Sequence, residues 1–233
     1  MIFNPNSDCV EVMECILAMD LKSGSVVHGA KGDRETYAPL TWGLARSAEP
    51  LAYCGDIAPK YLYIADLDRI CGVGDHEGVI RHLAAMVDRC YVDRGCRGPA
   101  DLMDGVINVV GTETAGEDLA RYPGSFLSVD VKGGRVIPSG EAPVAVLKRA
   151  ADLPFAGCIL LNIGGVGTGC GLPADLEDIR AAYPGRLLWG GGVAGVRDLD
   201  VLEGAGFDGA IVATGVHRRT IPLAWVREGR TCS

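Results

Sequence analysis

Apolar residues in this chain gather into short runs separated by mixed polar stretches. Eight runs stand out: Cys15–Met19, Tyr61–Ala65, Cys90–Val92, Val106–Val110, Phe126–Val129, Cys158–Leu161, Leu187–Trp189 and Ala210–Ala213. They are nearly continuous in hydrophobicity, which suits strands covered on both faces of a parallel sheet. Between them the spacing turns helical. Asp75–Asp88 puts Val79, Leu83, Met86 and Val87 on one stripe, with Asp75 as N-cap. Glu141–Ala151 and Pro173–Ala182 read the same way, and Val196–Glu203 is a shorter helix ended by Gly204 and Gly206. The link from Arg97 to Val106 leaves room for a helical stump. Eight alternating units predict an α/β fold, a TIM (βα)8 barrel in one domain over 1–233. A doubly wound open sheet is the competing arrangement.

Repetition favours the barrel. The phrase DLKSGSVV at Asp20–Val27 returns as DVKGGRVI at Asp130–Ile137, and CYVDRGCRGPADL (Cys90–Leu102) lies without gaps over LLWGGGVAGVRDL (Leu187–Leu199). Two matches at similar offsets indicate internal duplication, with half-barrels of approximately 1–116 and 117–233. Two four-strand halves close naturally into one eight-strand barrel.

In such a barrel the active site forms where strands end and the following loops begin. The repeated phrase then places Asp20 and Asp130 at the ends of opposed strands, one from each half. Two carboxylates across a pocket divide general-acid and general-base work if their environments separate their pKa values. The bland alternative is that each Asp pairs with its neighbour, Lys22 or Lys132.

A second signal is WGGGVAG (Trp189–Gly195) after the seventh strand, joined by VATGV (Val212–Val216) after the eighth. Glycines there let backbone N–H groups approach an anion, and these two loops are the recurrent phosphate site of the fold. The candidate phosphate residues are Gly190, Gly191, Gly192, Val193, Ala213, Thr214 and Gly215. The first half holds no clean counterpart. Asp93 and Arg94 stand where Gly190 and Gly191 stand in the second half. Gly111 and Thr112 still offer an N–H and a hydroxyl. An Asp in a phosphate cradle repels its ligand unless Arg94 or Arg97 neutralises it, and either arginine is also suited to bind a carboxylate or phosphate with its planar fork.

Composition narrows the field. The 233 residues are 48% hydrophobic and 22% charged, with a net charge of −8. That balance fits a globular protein and argues against a nucleic-acid partner. No apolar run approaches the ~20 residues of a membrane span, and Asp8, Glu11 and Glu14 give the N-terminus the wrong charge for a signal peptide. The nine cysteines form no C-x-x-C pair and read as reduced thiols in a cytoplasmic protein. The four histidines show no ligand spacing with them, so no metal is expected. Cys96 falls in a turn at the active face with no paired histidine base, and reads as a bystander.

The motifs AMDLKSGSVV, KGDRETY (Lys31–Tyr37), YIADLDRI, SVDVKGGRV, WGGGV and IVATGV resemble the histidine-biosynthesis barrel family. That family includes phosphoribosylformimino-aminoimidazole-carboxamide ribotide isomerase and the cyclase subunit of imidazole glycerol phosphate synthase. The resemblance runs from about Cys15 to about Ala224 and is nearer the isomerase, through KGDRETY and IADLD. It implies a bisphosphorylated ribose substrate, no cofactor, and an Amadori-type rearrangement with Asp20 as general base and Asp130 as general acid. Two departures stand out. NIGGVGTG puts Asn162 where the isomerase has Thr and Gly167 near its expected Asp, and DRGCR replaces the first-half glycine cradle. DRGCR with VVGTET resembles a divergent side branch found in microbes of methane and one-carbon metabolism. Three functions stay open: an aldose–ketose isomerase on a phosphorylated ribosyl aminoaldose, a cyclase or lyase on a related sugar phosphate, and a non-catalytic phosphate-metabolite binder. The expected partner is a phosphorylated sugar. No protein partner is indicated.

Overall fold

The computed structural model describes residues 12–30 and 32–231; Asp8, Glu11 and Lys31 lie outside the described residues. All eight apolar runs become strands: β1 (Glu14–Lys22), β4 (Tyr61–Asp66), β5 (Arg89–Asp93), β6 (Ile107–Gly111), β7 (Phe126–Lys132), β9 (Gly157–Asn162), β10 (Leu187–Gly190) and β11 (Gly209–Val212). Each pairs in parallel with the next, and β11 pairs in parallel with β1, from Glu14 opposite Gly209 to Leu17 opposite Val212. The sheet closes into a (βα)8 barrel, so the open-sheet alternative is excluded.

The pleat sorts side chains into two cores. Odd-numbered residues of β1 (Cys15, Leu17, Met19, Leu21) face outward, with Leu127, Val129 and Val131 of β7, into the layer shared with the helices. Their neighbours face the barrel axis. That interior cluster includes Ile16, Tyr63, Tyr91, Val109, Phe126, Ile159, Leu188 and Ile211, one from each barrel strand. This is a filled barrel interior.

The repeated phrase folds the same way twice. After β1 the chain reverses into β2 (Ser25–His28), and after β7 into β8 (Arg135–Val136). Both are antiparallel hairpins, with Lys22 opposite Ser25 and Lys132 opposite Arg135. The two turn residues have positive φ in each case: Ser23 and Gly24 (51° and 75°), Gly133 and Gly134 (61° and 75°). Such turns match the twist of the strands they join. The phrase therefore encodes more than a strand end. It carries the aspartate and the reversal that follows it.

The helices follow the sequence with shifts at their ends. The third helix, α3, spans Glu77–Ala84 with His76 at the N-cap position, and it buries Ile80 and Leu83 while Met86 is 46% exposed. Asp75 sits one residue earlier and accepts from the Glu77 N–H (2.9 Å). Pro143–Ala150 forms α4, Leu176–Ala181 α5 and Val196–Gly204 α6. The expected stump is a 3-10 turn at Pro99–Asp101. Four helices carry too little periodicity to be read from sequence: α1 (Pro50–Ile57), interrupted by Gly55, and the short α2 (Leu67–Cys71), α7 (Thr214–His217) and α8 (Leu223–Glu228). No helix among the described residues is long and apolar enough to cross a membrane.

Candidate functional site

Period-two arithmetic places the acids. On β1 the inward positions run Ile16, Ala18, Asp20; on β7 they run Phe126, Ser128, Asp130; on β5, Tyr91 is followed by Asp93. The barrel mouth is therefore ringed by three aspartates, and all three line one pocket at the C-terminal ends of the strands. The inward residue of β6 at this level is Gly111. A Cβ there would sit 2.8 Å from Asp130 Oδ2 and 3.5 Å from Asp93 Oδ2, so its bareness makes room for the two carboxylates.

Asp130 is the best held of the three. It is 3% exposed. Its Oδ1 accepts from Ser128 Oγ (2.7 Å), and its Oδ2 accepts from the Glu113 N–H (3.2 Å) and Thr112 Oγ1 (3.4 Å). Burial and the neighbouring Asp93 charge push its pKa up to about 7, against those hydrogen bonds. Asp20 has no hydrogen-bond partner among the described residues. Burial raises it to about 6, opposed by the Arg34 guanidinium. Asp93 also rises to about 6 by burial, opposed by the Gly95 N–H bond and by Arg34. Arg34 comes from the KGDRETY loop and forms a two-point ion pair with Glu113, with Nη1–Oε1 2.9 Å and Nη2–Oε2 2.6 Å. One guanidinium thus serves three carboxylates, those of Glu113, Asp20 and Asp93. Lys22 does not pair with Asp20; its Nζ donates to the carbonyls of Arg34 (2.7 Å), Glu35 and Tyr37, which fastens the loop that carries Arg34.

At the other end of the pocket stand Gly191, Gly192, Val193, Ala213 and Thr214. Gly191 and Gly192 have φ of 89° and 84°. A Cβ on Gly191 would run into the Asn162 carbonyl, and one on Gly192 would lie 2.9 Å from the Gly171 carbonyl. The glycines are therefore required by the chain's own packing. The Gly192, Val193 and Thr214 N–H groups have no backbone acceptor among the described residues. Gly215 follows Thr214 in the four-residue helix α7 (Thr214–His217). Gly190 ends β10 beneath the loop, with Leu161 in the space a side chain would take.

Six predicted site residues do not line the pocket: Gly190 and Gly215 sit behind the glycine loops, and four others are placed elsewhere. Thr112 supports Asp130 instead, accepting from the Asp130 N–H (3.1 Å) as well as donating to its carboxylate. Gly111 abuts the two carboxylates and offers no ligand site of its own. Asn162 has the wrong parity: Leu161 points inward, and the Asn162 side chain accepts from the Gly165 N–H (3.2 Å) as a cap. Arg97 is exposed, its guanidinium taken by the carbonyls of Gly95 (3.1 Å) and Ile70 (2.9 Å). Cys96 is 1% exposed, and burial pushes its thiol up to about 11, which fits an inert packing residue.

Sequence reading missed Arg34, Glu113 and an imidazole–aromatic wall. His217 Nδ1 accepts from the Leu44 N–H (3.3 Å), so its Nε2–H donates to Tyr53 Oη (2.7 Å). Burial lowers His217 to about 4, and the ring is neutral. Trp42 packs edge-on to both His28 and His217, with centroids 5.1 and 5.7 Å apart. His28 Nε2 lies 3.4 Å from Thr214 Oγ1. The loop motif held the signal for Arg34; nothing local announced the wall.

The raised acids carry a stability prediction. The folded protein binds the Asp130 proton more tightly than the unfolded chain, so stability tied to this group is highest below about pH 4 and falls as pH rises through about 7. Asn at 130 preserves the hydrogen bonds, with its oxygen toward the Glu113 N–H and its amide toward Ser128 Oγ. Asp130→Asn is therefore expected to match wild type at about pH 4, to gain on it as pH rises through about 7, and to exceed it at pH 8 by at least about 2 kcal/mol, roughly 4–8 °C in Tm or more for a chain of this size. Thermal melts across that range check it; an equal or lower Tm at pH 8 contradicts the assignment.

Residues 14–222 match the model of the histidine biosynthesis protein family. An uncharacterized protein of Methanocaldococcus jannaschii is 30% identical, with 91% of this chain and 96% of that protein covered. Two further relatives are named 1-(5-phosphoribosyl)-5-((5-phosphoribosylamino)methylideneamino)imidazole-4-carboxamide isomerase. The one from Thermus thermophilus is 29% identical, covering 91% of this chain and 97% of its own. The one from Halobacterium salinarum is 30% identical, covering 89% and 93%. The chain belongs to the histidine biosynthesis protein family.

Proposed function

We propose that this family member is an isomerase of a phosphorylated ribosyl aminoaldose, moving a proton in an Amadori-type aldose–ketose rearrangement with Asp20 and Asp130 as base and acid. The observation that carries this reading is the pair of aspartates facing one pocket from opposed strands in unlike settings: Asp130 accepts three hydrogen bonds, whereas the Asp20 carboxylate accepts none among the described residues. Burial raises both toward neutrality, which suits one to give and the other to accept a proton. Asp130 would protonate the ring oxygen as the sugar opens. Asp20 would take the C2 proton as the imine passes to the enol, which then returns to the ketose. Both steps are proton transfers, with no redox change. The backbone donors at Gly192, Val193 and Thr214 would hold the phosphate and fix C1 and C2 between the acids.

Turnover of a phosphoribosyl aminoaldose, followed by the ultraviolet change of the attached base, tests the reading. The kcat/KM profile should be a narrow bell between limbs near pH 6 and 7, the apparent values belonging to the coupled acids as a set. A profile that climbs steadily through pH 9 removes Asp130 as the acid. The family also contains cyclases, which would use the same acids. No observation on this pocket favours that second reaction.

A further inference from the structure

The two ends of the pocket are built from corresponding segments, yet they differ in chemistry. Asp93, Arg94 and Gly95 correspond to Gly190, Gly191 and Gly192. Gly191 has φ of 89°, whereas Ser23, Ala58 and Arg219 are the described non-glycine residues with positive φ, so Arg94 does not follow the same path. Gly95 does have positive φ (64°), but its N–H is taken by Asp93 Oδ1 (2.9 Å) and is not free for a ligand. A bare backbone cradle is missing at this end.

Its cations are also committed elsewhere. Arg94 is 4% exposed and held by Asp75 (3.3 Å) and Glu77 (3.1 Å), with Asp66 at 4.0 Å. Arg97 is tied to two carbonyls outside the pocket. Arg34 is engaged by Glu113. What this end offers is Asp93 itself. It is 7% exposed; its Oδ1 accepts from the Gly95 N–H (2.9 Å), and its Oδ2 lacks a hydrogen-bond partner among the described residues while the residue lines the pocket. A buried carboxylate oxygen left open to a cavity asks for a donor, preferably a cationic one.

We propose that the ligand is a monophosphorylated amino sugar: Asp93 receives a protonated amine and excludes a second phosphate. This rests on the reading of the Gly192 end as the phosphate site. A dianion beside Asp93 would face a like charge that Arg34, already paired with Glu113, offsets only in part, whereas an ammonium there completes an open hydrogen bond.

Titration calorimetry at pH 7.5 with four probes decides the matter: glucosamine 6-phosphate against glucose 6-phosphate, and ribulose 1,5-bisphosphate against ribose 5-phosphate. Wild type should bind glucosamine 6-phosphate at least about 10-fold more tightly than glucose 6-phosphate, and the bisphosphate no more tightly than the monophosphate. Asp93→Asn keeps an oxygen for the Gly95 N–H, so it should fold and bring the amine preference below about 3-fold. Asp93→Gly should let the bisphosphate gain at least about 10-fold. A bisphosphate preferred about 10-fold by wild type, or an undiminished amine preference in Asp93→Asn, overturns the inference. The readout is binding, so it separates from turnover. If these preferences fail while Asp20→Asn and Asp130→Asn still abolish isomerisation, only the amine assignment falls. If none of the four sugars binds, the phosphate-site reading falls with it.

Discussion

Asp20→Asn and Asp130→Asn are each expected to lower kcat by at least about 10²-fold, the lower part of the range for loss of a general acid or base. The two variants should differ in what survives. Asn at 130 still accepts from the Glu113 N–H and satisfies Ser128, so the pocket wall stays in place and only the transferable proton is gone. Asp20 has no hydrogen bond to lose, and its replacement relieves a buried charge that Arg34 offsets only in part. Neither variant should be less stable than wild type at pH 7.5. Loss of activity together with an unchanged or raised Tm distinguishes removal of chemistry from damage to the fold. Phosphate binding should persist, because the Gly192 end touches neither acid. Single-turnover rates with saturating substrate, read beside the melts, give the result; a variant with more than about a tenth of wild-type kcat would end the assignment.

The barrel and two of its acids were legible because both depend on local period. Strands buried on both faces give unbroken apolar runs, and the repeated phrase fixes Asp20 and Asp130 at matching points of opposed strands. The same parity, counted from Tyr91, brings Asp93 inward too. Symmetry with the glycine loop suggests a phosphate cradle at that position, but the pleat puts an acid there. Asn162 illustrates the converse: a residue two places from an inward one is inward, a residue one place away is not, and Leu161 holds the inward place. Arg34, Glu113 and the His28–Trp42–His217 wall depend on loop paths, which no periodicity encodes. Arg97 was out of reach for a related reason. A loop arginine goes to whichever carbonyls the fold brings near, and here those belong to Gly95 and Ile70.

Gly192→Asp is expected to abolish stabilisation by a sugar phosphate. A ligand at 100 times its Kd raises the stability of the folded state by about 2.7 kcal/mol, which for a chain of this length is roughly 5–11 °C. Wild type should show that shift with saturating ribose 5-phosphate. In Gly192→Asp a carboxylate would stand among the N–H groups of Gly192, Val193 and Thr214, competing for them and repelling the phosphate. The substitution also carries a backbone cost, since φ is 84° and the new Cβ would lie 2.9 Å from the Gly171 carbonyl. That cost appears in the melt without ligand, where Gly192→Ala should show the same loss of Tm. The two variants should part only when ligand is added. Alanine brings the Cβ but no charge, so Gly192→Ala should retain a measurable shift while Gly192→Asp retains none. A full shift in Gly192→Asp would place the phosphate elsewhere. Equal loss in both would mean that the loop's shape, and not the repulsion of an introduced acid, controls binding at this end of the pocket.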